Sequence, residues 1–452
     1  GYYDQARKKD TTKYLVPAGV SLDKNLNQIE RDEGLGEICD LQRGQMAGRT
    51  MFVRFFCLGP VNSVFAIPCL QVTDSAYVCH SEDLLYRNGY EEFKRLPTGG
   101  EFFKFRHTSG EVDERKTSVK HELNRVYMDD MLNTVLSVNT QYAGNTVGLK
   151  KLALRLAIRK ADREGWLAEH MFIMGCNGPA GRKSYFCGAF PSACGKTSTA
   201  MLPGETIVGD DLAYFRVIDG EFRAANVERG IFGIISDVNP SDDPVIFDVL
   251  TNPGEVIFGN VLVKDGKPYW DGMGQELPKE GENYCGKWTE GMVGPDGKAT
   301  TPSHKNARYT VKIDDLANKD AQWDNPAGVP VSGVIYGGRD SDISVPVREA
   351  YNWAHGVCTM GATLESETTA ATIGQEGVRT FNVMSNMDFL SMSTGRYIQN
   401  NLDFAGDIAR PKVFGTNYFL KGDGQYLNGK LDKGIWIKWM DLRAHGEAEA
   451  LD

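Results

Sequence analysis

The stretch Cys187-Gly-Ala-Phe-Pro-Ser-Ala-Cys-Gly-Lys-Thr-Ser198 decides the reading of this chain. Before it, Ser184-Tyr-Phe-Cys187 reads as a short buried strand; after it, Lys196-Thr-Ser-Thr-Ala-Met201 reads as the opening of a helix. A strand that passes through a loop ending Gly-Lys-Thr into a helix is an arrangement for cradling phosphates. Backbone N–H groups and the positive end of the helix dipole converge on the anion, Lys196 reaches the outer phosphates, and the Thr197 hydroxyl ligates a divalent cation. The match to G-x-x-x-x-G-K-T is not strict, because Phe190 stands where the first glycine belongs and Gly188 lies two residues too early. An ordinary turn is the competing reading of the tripeptide alone.

Two neighbours favour the phosphate reading. Glu205-Thr-Ile-Val-Gly209 reads as a strand with Asp210 and Asp211 at its C-terminal end, where α/β sheets display ligand-binding groups. An acidic pair shortly after a phosphate loop holds the metal that bridges nucleotide phosphates. Cys194 lies inside the loop, beside a helix N-terminus and a lysine, a setting that depresses a thiol pKa and makes it reactive. Its alternative is a small packing residue, and the sequence leaves both open.

At 452 residues the chain is long for one core, so two domains are expected. The content of 41% apolar and 24% charged residues is that of a soluble globular protein. A formal charge of −10 argues against nucleic-acid or acidic-membrane partners, while a local basic phosphate pocket stays compatible with it. The nine cysteines form no C-x-x-C pair, which suggests reduced thiols in a cytoplasmic protein. No span is apolar enough for a membrane helix, since Met51 to Leu70 is broken by Arg54, Pro60, Asn62 and Pro68. The chain opens on Gly1 rather than Met, so a fragment lacking targeting signals is one expectation.

Along the chain, residues 1–50 are polar with little periodicity. Met51 to Cys57 reads as a strand ended by Gly59-Pro60, and Glu82 to Arg125 as charged surface hairpins. Gln141 to Asn145 is a loop. From Gly148 to Arg163, Leu149, Leu152, Ala153, Leu156 and Ala157 mark one face of a helix that Gly165 ends. Residues 171–175 and 331–336 read as strands, and 229–327 as loop-heavy β structure. Ser366 to Gly377, small, polar and glycine-bounded, reads as a mobile lid.

His170 and Lys150-Lys151 taken singly read as a hydrogen-bonded histidine and a solvated helix face. Yet Arg155 lies one turn on from Lys151, a neighbouring cation lowers a lysine pKa, and a neutral amine ligates metals. Arg7, Arg308 and Arg339 each read first as surface ion-pairers, Arg339 after Gly-Gly at a strand end being the best phosphate candidate.

Phe190-Pro-Ser-Ala-Cys-Gly-Lys-Thr197, Glu164-Gly-Trp-Leu-Ala-Glu-His170 and Val208-Gly-Asp-Asp211 closely resemble the GTP-dependent phosphoenolpyruvate carboxykinases. Ala6-Arg7, Gly48-Arg-Thr-Met51, Asn306-Ala-Arg308, Gly337-Gly-Arg339 and His355-Gly356 follow in the family's order and cover nearly the whole chain. The resemblance implies a two-lobed α/β carboxykinase fold with mixed sheets and an active site in the cleft between lobes. Residues 1–165 would form a substrate domain, and 166–452 a nucleotide domain with a phosphate loop at 188–198 and an Ω-loop lid at 366–377. Both family ends are expected to be missing.

The resemblance also assigns roles. Lys151, His170 and Asp211 would hold a catalytic Mn²⁺, with Lys150 as the competing lysine. Arg7 and Arg308 would grip the carboxylates of oxaloacetate, with Tyr142, Ala143, Gly144 and Asn306 lining that pocket and Ser192 beside the phosphate loop. Ala193, Cys194, Gly195, Lys196, Thr197 and Ser198 would contact the nucleotide, Lys196 and Arg339 would stabilise the transferring phosphoryl group, and Cys194 matches the family's reactive cysteine. Thr197 with Asp210 and Asp211 would place a nucleotide-bound Mg²⁺ or Mn²⁺. The implied activity converts oxaloacetate and GTP to phosphoenolpyruvate, CO₂ and GDP in gluconeogenesis, by a cytoplasmic monomer with no nucleic-acid or membrane partner.

Departures touch the base site most. Tyr418 and Phe419 offer a stacking slot and Tyr426 a further ring, but Lys430 and Lys433 replace an aromatic and an asparagine of animal members. ATP or pyrophosphate as donor, or a non-catalytic nucleotide-binding module, are therefore the alternatives.

Overall fold

The computed structural model describes residues 9–24, 26–141, 149–191, 194–294, 297–368, 377–429 and 431–451. The protein is α/β with several mixed sheets and divides into two compact units that interleave along the chain. Residues 1–57, 67–153 and 229–317 form one unit; 58–66, 154–228 and 318–452 form the other. The linear boundary expected near residue 165 thus does not describe the packing of 229–317, which folds with the first unit.

The first unit is built on an eight-stranded sheet, in spatial order Gln28–Glu30, Thr12–Val16, Arg125–Asp129, Thr134–Val138, Phe103–Thr108, Ile67–Thr73, Phe52–Leu58 and Arg87–Asn88. The helix Arg31–Gln42 lays Ile38 against Leu15, Tyr127, Leu136 and Val138. Sequence reasoning found no element before residue 50, because that helix buries only Gly34 and Ile38 and shows hardly any apolar stripe.

The reading of Glu82 to Arg125 as surface hairpins is corrected here. It contains the end of the helix Ala76–Leu85, the helix Tyr90–Arg95, and the strand Phe103–Thr108, which pairs in parallel with Ile67–Thr73 on one side and Thr134–Val138 on the other. In that strand Phe103, Phe105 and His107 are buried while Lys104 and Arg106 face outward, the two-residue alternation of a half-buried strand. The charged residues between them had hidden the pattern.

Residues 229–317 add a three-stranded sheet, Gly230–Ile234, Arg308–Lys312 and Ile257–Gly259, and a four-stranded one. Both are short and turn-rich, as the composition indicated.

The second unit is built on a nine-stranded sheet whose central strand is Val329–Gly338. Its parallel neighbours are Lys183–Ala189 on one side and Lys412–Asn417 on the other. Beyond Lys183–Ala189 lie Phe172–Asn177, antiparallel to it, and then Thr206–Gly209, antiparallel in turn. Chain direction therefore brings five segments to one edge: the loops that follow Ala189, Gly209, Gly338 and Asn417, and the residues that precede Phe172. Ligand sites form at such carboxyl ends. The helix Leu149–Glu164 buries the expected face, Leu149, Leu152, Ala153, Leu156 and Ala157.

Phe105→Ala tests the corrected strand. Removing a ring that is 1% exposed in the middle of the sheet should cost about 3–5 kcal/mol in urea unfolding, whereas a hairpin side chain on the surface would cost little.

Candidate active site

The phosphate loop leaves Ala189 and enters the short helix Lys196–Ala200. Gly195 caps that helix at φ +101, and a Cβ there would sit 2.9 Å from the Tyr418 ring, so only glycine satisfies both the backbone angle and the space. Phe190, in place of the first motif glycine, has a packing role. Its ring lies where a Cβ on Gly337 would come within 2.0 Å, and it stacks on Phe172 and Tyr418 at centroid separations of 5.7 and 5.9 Å. The glycine has in effect moved from the loop to the neighbouring strand. Ser192 and Ala193 lie outside the described residues.

At the sheet edge three predicted residues meet. His170 Nε2 lies 2.9 Å from Asp211 Oδ1, and Lys196 Nζ lies 2.8 Å from the same nitrogen and in contact with the same oxygen. His170 Nδ1 donates to the Ser385 carbonyl at 2.8 Å. A carbonyl only accepts, so Nδ1 carries the proton. Nε2, Asp211 Oδ1 and Lys196 Nζ form one polar cluster, in which Lys196 brings a positive charge to the carboxylate. Asp210 and Asp211 are 6% and 5% exposed, at the end of Thr206–Gly209 where they were expected.

An imidazole nitrogen beside a carboxylate oxygen is a donor pair that suits a first-row divalent ion. Among the described residues no group of three or more His, Cys, Asp and Glu is arranged to hold a metal. The expected lysines are in the first unit. There Lys150 is 8% exposed with Nζ 5.7 Å from the Phe232 ring centroid, and the Arg308 guanidinium is 5.3 Å from that same ring. Lys151 is the more exposed of the two lysines. Arg308 opens the strand Arg308–Lys312, and the Asn306 N–H donates to His304 Nδ1 at 3.0 Å. Arg155, read as a neighbour that tunes Lys151, donates to the Asp388 carbonyl at 2.8 Å and lies 5.6 Å from the Phe389 ring. Arg7, Tyr142, Ala143 and Gly144 lie outside the described residues.

Arg339 follows the central strand and lies 3.7 Å from the centroid of Phe419. Its backbone N–H donates to Ser366 Oγ at 3.0 Å, and its carbonyl accepts from Glu367 N–H at 2.9 Å. Ser366 Oγ is also 3.1 Å from Cys194 Sγ. The strand pair Glu365–Glu367 and Arg379–Phe381, which flanks the expected lid, is thus tied to both the loop and the arginine. Of the expected lid, 369–376 lie outside the described residues.

The expectation of a depressed Cys194 thiol is overturned. The side chain is buried, and desolvation pushes its pKa up despite the opposing Ser366 hydroxyl and Arg339 charge. Tyr418 is corrected as well. It is 5% exposed, lies near-parallel to Phe190 and Trp436, and its hydroxyl accepts from Thr199 Oγ1 at 3.1 Å, so it backs the phosphate loop rather than offering a slot. Phe419 and the half-exposed Tyr426 lie 6.0 Å apart, edge to face. Lys433 Nζ donates to Ser198 Oγ at 2.5 Å and lies 4.6 Å from the Tyr418 ring, a second cation beside the loop. Lys430 lies outside the described residues.

Two matches with known proteins carry this geometry to a family. Residues 166–452 match the model of the phosphoenolpyruvate carboxykinase C-terminal P-loop domain, and residues 1–162 match the N-terminal domain of the same enzymes. The chain belongs to the phosphoenolpyruvate carboxykinases. Among curated relatives it is 59% identical to the phosphoenolpyruvate carboxykinase [GTP] of Pyrococcus abyssi, over 100% of this chain and 73% of the relative. It is 46% identical to that of Saccharolobus solfataricus over 99% of the chain and 71% of the relative, and 36% identical to that of Chlamydia abortus over 93% and 71%. Carboxykinase membership makes the chain an enzyme of the GTP-dependent group and implies use of a divalent metal. Among the described residues no helix is long and apolar enough to cross a membrane.

Ser385 and Asn386 carry no sequence motif, and Ser385 is 215 positions from the histidine it bonds. Ser366 was expected only as the start of the lid, and Glu169 is adjacent to His170 in sequence.

The turn after Arg339 yields a pH prediction. Burial disfavours the charge on Asp340, but the Ser344 hydroxyl and the N–H groups of Ile343 and Asp342 outweigh it, and Arg379 adds an ion pair at 2.7 Å. Its carboxyl is held far below the ordinary value of about 3.9. A depressed folded-state pKa gives stability that is complete above the unfolded value and lost as pH falls through the folded one. Acid titration of unfolding should show Asp340→Asn less stable than wild type at neutral pH, with the gap closing below about pH 4; a constant gap would contradict the assignment.

Proposed function

We propose that this chain decarboxylates oxaloacetate and phosphorylates the resulting enolate with GTP, giving phosphoenolpyruvate, CO₂ and GDP. One observation carries the reading: the phosphate-loop lysine touches both His170 and Asp211, so the group that grips the outer phosphates and the groups that would hold a metal converge. His170 Nε2, Asp211 and Lys151, or Lys150 in its place, would hold a Mn²⁺, which would supply Lewis-acid charge for the enolate oxygen. Arg7 and Arg308 orient the two carboxylates of oxaloacetate, with Tyr142, Ala143, Gly144, Asn306 and Ser192 around it. Loss of CO₂ leaves the C–C bonding pair on the substrate as an enolate. Its oxygen attacks the γ-phosphorus in line and GDP leaves.

Lys196 and Arg339 face the transferring phosphoryl group and offset its spread charge, which is most of what such a site supplies. Thr197 with Asp210 and Asp211 would place the Mg²⁺ or Mn²⁺ that accompanies the nucleotide. Ala193, Cys194, Gly195 and Ser198 complete the loop, and Phe419, Tyr426, Lys430 and Lys433 meet the base and its sugar-phosphate. The segment 366–377 excludes water, which would otherwise protonate the enolate to pyruvate. In this scheme 1–165 handles the substrate and 166–452 the nucleotide. None of the nine cysteines forms a disulfide, which supports a reducing, cytoplasmic setting; we place the enzyme there as a monomer.

The test is manganese-dependent phosphoenolpyruvate formation with GTP, ATP and pyrophosphate compared as donors. GTP should be preferred, and Lys196→Ala should lower kcat by about 10³-fold or more, the scale of losing a cation that acts on transition-state charge. An unchanged rate in Lys196→Ala would remove the phosphate-loop assignment, and preference for another donor would overturn the nucleotide choice.

A further inference from the structure

We infer that Asn386, Tyr397 and Glu169 form a buried positioning unit for His170, holding the Met384–Ser385 turn so that the Ser385 carbonyl takes the Nδ1 proton and Nε2 is left as the donor atom. The inference rests on the reading of His170 as a metal ligand.

The turn is an unusual piece of backbone. Met384 and Ser385 have φ +47 and +55, two consecutive side-chain-bearing residues in the left-handed region, and they are 0% and 3% exposed. Such conformations persist only where the surroundings over-determine them, and they cluster at functional sites. Here the Ser385 N–H donates to the Asn382 carbonyl at 2.9 Å, the Asn386 N–H to the Val383 carbonyl at 2.8 Å, and the Met387 N–H to Asn382 Oδ1 at 3.2 Å.

Side chains then fix the turn to the strand that delivers the histidine. Asn386, fully buried, donates from Nδ2 to the Tyr397 hydroxyl at 3.0 Å and to Glu169 Oε2 at 3.4 Å. The Tyr397 hydroxyl donates to Glu169 Oε2, and Asn401 Nδ2 to Glu169 Oε1 at 3.3 Å. Glu169 immediately precedes His170. One carboxylate therefore anchors the chain on both sides of the Nδ1–H···O=C bond: the residue before the imidazole and the residue after the carbonyl. Phe389, edge-on at 5.0 Å, limits rotation of the ring. Histidine ligands usually spend their second nitrogen on such a partner, and removing the support typically costs 10–100-fold in metal affinity. A network that only packed the core would have no need to bend the backbone toward that proton.

The experiment uses the full chain labelled with ¹⁵N-histidine, whose seven histidines give a tractable spectrum in which His170→Ala identifies one resonance. Before metal is added, His170 in the wild type should be the Nδ1–H tautomer; an Nε2–H tautomer would overturn the inference. In Tyr397→Phe and Asn386→Ala that tautomer should be lost or mixed, and the Mn²⁺ dissociation constant, followed by electron paramagnetic resonance, should rise about tenfold to a hundredfold. Circular dichroism and the unfolding midpoint confirm that the variants are folded; if Asn386→Ala does not fold, the milder Tyr397→Phe carries the test. Folded variants with wild-type tautomer and Mn²⁺ affinity would overturn the positioning role while leaving the ligand assignment in place. Wild-type Mn²⁺ affinity in His170→Ala would overturn the ligand assignment and the inference together.

Discussion

The cluster that joins the Lys196 ammonium, His170 Nε2 and the Asp211 carboxylate is the interaction on which the rest of this site depends. His170 Nε2 and Asp211 Oδ1 lie 2.9 Å apart, with both residues mostly buried. Burial of such groups is costly unless it is compensated. Lys196 supplies the compensation from the end of the phosphate loop. In the proposed function His170 Nε2 and Asp211 would hold a divalent cation, while Lys196 would reach the phosphates.

What brings these atoms together is strand direction. Lys183–Ala189, Thr206–Gly209, Val329–Gly338 and Lys412–Asn417 run the same way and Phe172–Asn177, among them, runs against them, so one edge collects four C-terminal loops and one N-terminal approach. The phosphate loop, the acidic pair, Arg339 and the aromatic run arrive as strand exits, and His170 arrives as a strand entrance. Packing then refines the placement. Phe190, in place of the loop's first motif glycine, packs on Gly337 of the neighbouring strand, while the motif glycine Gly195 lies under Tyr418. Ser366 links strand Glu365–Glu367 to Cys194 and Arg339 through a single hydroxyl.

Much of this was legible in the sequence, for local reasons. The phosphate loop, its strand and helix, the acidic pair and the helix Leu149–Glu164 announce themselves through motif spacing or helical periodicity. Strand Phe103–Thr108 was lost because charged residues on its outer face masked the alternation, and Arg31–Gln42 because it buries too little to show a stripe. Cys194 misled because the loop's dipole and lysine promise an acidic thiol, while burial, which a sequence does not display, acts more strongly the other way. Tyr418 misled similarly: an aromatic run advertises rings but not which of them faces outward. The Ser385–Asn386 turn had no signal at all, since neither its backbone angles nor its partner 215 residues away leave a mark in composition or spacing.

The most direct test of the bridging-cation account is a crystal of this protein grown with Mn²⁺ and a non-hydrolysable GTP analogue, read by anomalous scattering. The account predicts a manganese peak within bonding distance of His170 Nε2 and Asp211, with Lys196 Nζ moved onto the phosphate chain. Manganese bound elsewhere, with Lys196 still joining the histidine to the aspartate while the nucleotide is present, would contradict it.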